Sequence, residues 1–457
     1  MTAPGTRPCT LASLAEGDAV TDLRRADPAP GVARRLRRLT ARAGFAVSAA
    51  IVLLYQAAAS AMTPLLVVYQ RLWGFTPATV TVIFAVSILA LLGTLLIAGA
   101  LSDYVGRRPV LLASLLLEAA AMVLFISAGG VLDLVIARAL QGVATGLALP
   151  ALAATLVDFT PPRAPARAGA VNGVAPIAGL ALGSLACGAL VQYGPDPTRL
   201  VWGLLLALIA LAFAAVLTLP ETAARRSGAL SSLIPRLGVP PGRRRDVWLL
   251  VPAIVASWAL GGLYLSLGPS AAISVFGITS HFLGGLVATI LCGVGAVTAF
   301  ALRNRAVALA LRLSLVLLAA GTGLTLLGVE TRTLMWALPG TAVAGIGYGA
   351  AGLATFGALG RMATHLGAVQ RGQLFAVAYL VAYLSFSLPS LAAGEAATHI
   401  GLSAAVAGYA TAVAAVALCA LGIQERRRSR DHRAATRADG SDGQGASAAP
   451  KTHRFVS

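Results

Sequence analysis

Twelve times along this chain the sequence stays apolar for roughly 20 to 28 residues, the length a helix needs to cross the hydrocarbon core of a bilayer. The runs lie near 43–70, 78–101, 109–128, 131–157, 167–193, 199–219, 247–270, 280–301, 306–328, 333–359, 370–394 and 401–423. No soluble domain tolerates such a pattern: 58% of the residues are hydrophobic and only 11% are charged. The chain reads as an all-α polytopic membrane protein. Several joints are very short, as at "AGGVLD" (128–133) and "YGPDPT" (193–198), so consecutive helices must run antiparallel.

The basic residues orient the helices. With both termini on the cytoplasmic side, Arg71, Arg199 and Arg332 fall in outer loops and Arg138 falls within a helix, while the rest of the 35 lysines and arginines lie inside. A net charge of +18 is therefore a membrane signature here. It comes as short bursts between apolar runs, without the aromatic-interleaved stripe of a nucleic-acid binder, so no nucleic-acid partner is expected. The partners implied are the lipid bilayer and a small-molecule substrate. The expected location is the plasma (inner) membrane, with a monomer as the working unit. The first apolar run begins too far in for a cleaved signal peptide and reads as an uncleaved signal-anchor.

Polar segments divide the chain. Residues 1–42, including "RRLRRLTARAG" (34–44), read as a basic cytoplasmic tail, mostly disordered. A six-helix bundle over 43–219 is followed by a cytoplasmic loop over 220–246 and a second six-helix bundle over 247–423. Residues 424–457 are charged, rich in Gly, Ser and Ala and without periodicity, and read as a disordered tail. The equal lengths of the two bundles are what an internal duplication gives, although direct similarity between them is faint.

One loop breaks the apolar monotony with charge. In "GALSDYVGRRP" (99–109), Asp103 stands at the end of the second run and Arg107 and Arg108 stand at the start of the third. Each charge faces the unfavourable end of its helix dipole, so each needs a partner. Gly106 permits a tight turn and Pro109 suits the first helical turn. Asp158, closing the fourth run on the same side, completes a candidate cluster of Asp103, Gly106, Arg107, Arg108 and Asp158 that ties helices two, three and four together. The bland alternative is a set of solvated charges, because exposed pairs contribute little.

These residues carry a resemblance. "GALSDYVGRRP" resembles the signature loop of the major facilitator superfamily, G-x-L-x-D-x-x-G-R-R/K, between its second and third helices. "RALQGVATG" (138–146) is similar to the fourth-helix motif R-x-x-Q-G-x-x-x-G, and "LPET" (219–222) to a common ending of the sixth helix. The counterpart in the second half, "GAVTAFALRNRAV" (295–307), keeps arginines but has no acid. The resemblance implies two pseudo-symmetric six-helix bundles and a charge cluster that latches the inner gate closed in the outward-facing state and breaks in the inward-facing one.

Two charges lie inside spans. Arg138 sits several residues into the fourth helix, where a charge costs about 2.5 to 3.5 kcal/mol on insertion scales, with Gln141 and Thr145 on its side of the helix. It either snorkels to the outer headgroups or, as the resemblance implies, points into the central cavity. Glu118, in "LLLEAAAMVLF" (115–125), is the acid nearest the middle of a span. It is a candidate proton carrier or a structural hydrogen-bonding group, since third helices in the family support the cavity from outside. Gly142, Gly146, Gly179, Gly183 and Gly188 have the spacing of close helix contacts. The last three sit in "NGVAPIAGLALGSLACGAL" (172–190), which partly resembles the antiporter motif of the family: Ser184 stands in place of its proline and Cys187 in place of its penultimate glycine.

By resemblance the cavity is lined by helices one, four, seven and ten, with help from five, eight and eleven. The polar and aromatic groups offered there are Tyr55, Gln56, Arg138, Gln141, Asn172, Trp258, Tyr264, Tyr348, Tyr379 and Tyr383, each of which also suits plain helix packing. Amides and carboxylates are scarce, which favours a lipophilic substrate over a sugar. The four cysteines and five histidines show no ligand spacing, so no metal is expected and no cofactor beyond a proton gradient. No nucleophile–base set or phosphate loop points to an enzyme. The sequence thus predicts a secondary transporter working by alternating access, proton-coupled and exporting small lipophilic compounds. The alternatives are an importer or uniporter of a small organic acid, using Arg138 as anion partner, and a non-transporting membrane sensor.

Overall fold

The computed structural model describes residues 40–445, apart from 162, 165, 224–226, 235–236, 278–279 and 365. The basic tail over 1–39 and the last residues, 446–457, lie outside the described residues. Twelve helices are long and apolar enough to span a membrane. In the first half they are α1 (Ala41–Trp73), α2 (Pro77–Ala98), α3 (Arg107–Ile126), α4 (Val131–Asp158), α5 (Arg167–Tyr193) and α6 (Pro197–Thr218). In the second they are α7 (Arg244–Ser274), α8 (Phe282–Leu302), α9 (Val307–Thr331), α10 (Leu334–Ala363), α11 (Gln370–Ile400) and α12 (Leu402–Arg427). There is no strand among the described residues. Helices keep every backbone bond internal, which is what a hydrocarbon solvent demands.

Local chemistry sets the ends. Thr76 caps α2 by accepting from the Thr79 amide at 3.3 Å, with Pro77 in the first turn. Gly74 closes α1 in the left-handed region at φ 67°. Prolines interrupt α1, α4 and α5 at Pro64, Pro150 and Pro176, and α7, α10 and α11 at Pro252, Pro339 and Pro389. Helix α7 also contains a π-turn over Leu263–Leu267.

Small residues let the helices approach. Gly142 and Gly146 of α4 lie against α2 at Ser87, Ala90, Leu91 and Thr94. Gly179 and Gly183 of α5 lie against α1, where a Cβ on Gly179 would sit 2.7 Å from Gln56 Cβ. Gly188 meets Gly285 of α8, across the boundary between the halves. That boundary is formed mainly by α5 against α8 and α2 against α11.

Two boundaries differ from the sequence reading. The first helix starts at Ala41, inside the segment read as tail, because Thr40 caps it. The helix of α12 continues to Gly445, so the part of the terminal tail over 424–445 is helical and the expectation of disorder is corrected there. Ala and Arg are strong helix formers, and extending an anchored helix avoids the cost of nucleation. Glu425 pairs with Arg312 at 2.6 Å and Arg427 with Asp246 at 3.1 Å, which fastens the extension to α9 and α7.

Candidate functional site

The two halves touch at one end and part at the other. Going along α2 and α11, Gly394 packs on Thr81 near one end, and Tyr383 packs on Leu91 and Leu92 near the middle. Leu95, Leu96 and Tyr379 also pack against that cluster. At the closed end Ser184 donates to the Gly285 carbonyl at 3.0 Å, and Thr63 donates to the Leu265 carbonyl at 3.2 Å beside the π-turn. At the other end, which carries the 99–106 loop and the central loop, a cavity of about 1030 Å³ opens between the halves.

Its walls come from few elements. Helix α2 supplies Leu95 and Leu96, α4 supplies Leu149, Pro150 and Ala153, and α11 supplies Gln373, Phe375, Ala376, Tyr379 and Tyr383. Asp103, Tyr104, Arg107 and Asp158 stand at the mouth with Thr222 of the central loop. Helices four and eleven line it as expected, while α2 takes a place expected of helices one, seven and ten. Of the predicted cavity groups, Tyr379 and Tyr383 line it.

The others are held elsewhere. Tyr55 is buried and donates to Ser114 at 2.9 Å. Gln56 packs on Gly179, Asn172 donates to the Ala153 carbonyl at 3.4 Å, and Tyr348 packs on Gly261 and Gly295. Tyr264 shares a 2.6 Å hydrogen bond with Thr325 beside a cavity of about 50 Å³ inside the second half. Trp258 stands behind Tyr383, edge to face at 4.9 Å between ring centroids.

The charged loop is built as a junction. Asp103 lies in a separate one-turn helix, Ser102–Val105, so the expected clash with the α2 dipole does not arise. Arg107 binds Asp103 and Ser102 through one terminal nitrogen, and its Nε lies 3.5 Å from an oxygen of Asp158, an ion-pair distance beyond a good hydrogen bond. Arg108 points away and donates to the Leu217 carbonyl of α6 at 2.6 Å. The misfit at the start of α3 is real, and its remedy is a residue the sequence analysis left out of the cluster. Glu221 of "LPET" accepts from the Arg107 and Arg108 amides at 2.8 and 3.0 Å, placing a carboxylate on the positive end of α3. Gly106 suits the turn because its φ is 111°, which favours glycine, and a Cβ there would lie 2.7 Å from a Glu221 oxygen and displace that carboxylate. Thr222 then donates to Asp158 at 2.6 Å.

This junction is intact while the cavity gapes beside it. All of its members belong to the first half and to the loop that leaves it, so the expectation that the cluster breaks when this end opens is corrected.

Deeper in the first half lies a second polar group. Arg138 donates to Gln141 Oε1 at 2.6 Å, and Gln141 Nε2 donates to Glu118 Oε1 at 3.0 Å. Arg138 also reaches the Ala59 and Ile83 carbonyls at 3.4 and 3.5 Å and stacks over Phe84, its guanidinium carbon 5.3 Å from the ring centre. All three side chains are at most 2% exposed, and Glu118 Oε2 has no partner among the described residues. The expectation that Arg138 faces the cavity is therefore corrected: α1, α2 and α4 enclose it, its Nε and Nη1 donate to protein oxygens, and it does not line the cavity. The two embedded charges, separate in the sequence, form one chain.

Comparisons with known proteins agree with this architecture. The family model described as Major Facilitator Superfamily matches residues 48–378. The chain belongs to the major facilitator superfamily of membrane transporters and is a multi-pass membrane protein. A search of curated protein sequences finds no significant match. Among solved structures, the human organic anion transporter MFSD10 (TETRAN) superposes with a TM-score of 0.62 at 18% identity, covering 85% of this chain and 100% of that one. A bacterial homologue of the human lysosomal transporter Spinster, in an inward-facing and occupied conformation, gives 0.64 at 14% identity over 83% and 95% of the two chains. Its inward-facing unoccupied form gives 0.64 at 14% over 86% and 97%.

Proposed function

We propose that this protein is a proton-coupled secondary transporter that moves small lipophilic compounds out of the cell by alternating access, with both termini cytoplasmic in the plasma membrane. The observation that carries the reading is the pairing of a cavity walled mainly by apolar side chains with a buried carboxyl, Glu118, that lies outside it. An apolar wall suits a substrate that needs few hydrogen bonds. An acid with one free oxygen, joined through Gln141 to a buried arginine, suits a proton that travels separately from the substrate. The cavity opens toward the arginine-rich end, so the conformation is inward-facing if the positive-inside rule sets the topology.

The organic-acid reading has support in one neighbour, whose name is that of an organic anion transporter. Arg138 argues against it, because its side chain is buried in the first half and does not line the cavity. Proteoliposome flux of a compound panel, with and without an imposed proton gradient, tests the proposal: gradient-dependent movement of neutral lipophilic compounds is expected, and movement of organic acids alone overturns it. A reporter fused after residue 425 that is active only on the outside contradicts the topology.

A further inference from the structure

Four aromatic side chains close into a ring at the inner end of the cavity. Trp258 contacts Phe356 at 6.3 Å and Tyr383 at 4.9 Å between centroids, Phe356 contacts Tyr379 at 5.2 Å, and Tyr379 contacts Tyr383 at 6.0 Å. Trp258 and Phe356 stand behind, on α7 and α10, and the two tyrosines face the cavity from α11. A turn of helix separates positions 379 and 383, so the rings lie one above the other, 20° from parallel. Neither tyrosine hydroxyl has a hydrogen-bond partner among the described residues, unlike those of Tyr55, Tyr264 and Tyr409. Both residues line the cavity, where an acceptor on a ligand can meet their hydroxyls. Opposite, α2 presents Leu95 and Leu96, which offer contact but no hydrogen bond.

We propose that this wall is the substrate-reading surface and that it selects planar aromatic compounds bearing an uncharged acceptor such as a ketone. The ring system lies on the cavity face of the α11 tyrosines with Leu95 and Leu96 of α2 at its edge, and the acceptor takes a hydrogen bond from Tyr379 or Tyr383. The stacked rings are held from behind by Trp258 and Phe356, so little order has to be imposed on binding. The inference rests on the lipophilic-substrate reading above and deepens it.

The test uses purified full-length protein and three tricyclic probes of one skeleton: 9-fluorenone, planar with a ketone; fluorene, planar without one; and perhydrofluorene, neither aromatic nor an acceptor. Fluorenone binding is followed by quenching of tryptophan emission, and Trp258→Phe identifies the part that comes from the ring; the other two probes are measured by competition. Fluorenone should bind roughly two- to tenfold more tightly than fluorene, the value of one hydrogen bond. Perhydrofluorene should be the weakest. Tyr379→Phe with Tyr383→Phe, which keeps both rings, should abolish the preference for fluorenone over fluorene. Tyr383→Ala should weaken both aromatic probes. Equal competition by all three probes, an unchanged preference in the double Phe variant, or no fluorenone binding overturns the inference. Gradient-driven flux of other lipophilic compounds alongside such a result leaves the transport reading standing; absence of all such flux removes that reading itself.

Discussion

The two halves share a topology and spend it differently. The first half holds Glu118 and Arg138, the buried charged side chains among the described residues, and the junction of Asp103, Arg107, Asp158 and Glu221. The second half contributes an aromatic ring and, where the junction would recur, arginines without an acid. Arg303 donates to the Phe300 carbonyl at 2.6 Å and stacks on its ring. The electrostatics gather on one scaffold and the aromatic surface on the other. A rigid charged half and a substrate-reading aromatic half are a division of labour that substitutions can break one side at a time.

The largest effect is expected at Gly106. Alanine there meets a left-handed backbone, costing about 1 to 2 kcal/mol, and pushes Glu221 off the α3 amides. Gly106→Ala should lower thermal stability and reduce flux more than tenfold in a proteoliposome assay. Asn304→Ala, at the corresponding turn of the second half, should change neither. Equal sensitivity of the two turns would show that the junction is not special to the first half.

Arg138→Ala comes next. It removes the donor to Gln141 Oε1 and leaves buried polar atoms without a partner, which costs about 1 to 3 kcal/mol. The loss should appear as a lower unfolding temperature in detergent, with a much smaller drop for Glu118→Gln, which preserves size and hydrogen bonding. A stable Arg138→Ala protein with altered affinity for acidic compounds would revive the organic-acid reading.

For the junction itself, Asp103→Asn should impair transport while leaving membrane insertion largely intact. Arg107 retains Asp158 in that variant, so Asp103→Asn combined with Asp158→Asn should lose more flux than either change alone. Wild-type flux in the double variant would remove the cluster from the mechanism. The smallest effect belongs to Thr222→Ala, which deletes one hydrogen bond to Asp158 and should cost about 1 kcal/mol by chemical denaturation.

What the sequence could tell follows from range. Twelve spans were legible because hydropathy is local, and Asp103, Arg107 and Asp158 were legible because charges stand out in apolar surroundings. Glu221 was not placed, although "LPET" was noticed, because its bonds to α3 join positions more than a hundred residues apart. The link from Glu118 to Arg138 depends on how α3 and α4 are rotated against each other, and packing sets that rotation. The lining of the cavity depends on which seam opens, a property of the conformation rather than of any one helix.

The most direct test of the account is Glu118→Gln in proteoliposomes, assayed side by side for flux driven by a pH gradient and for substrate exchange at equal pH. The neutral amide mimics only the protonated carboxyl, so gradient-driven flux should vanish and exchange should persist near the wild-type rate. If the variant matches wild type in both assays, Glu118 is a packing residue and the proposed coupling through it is wrong.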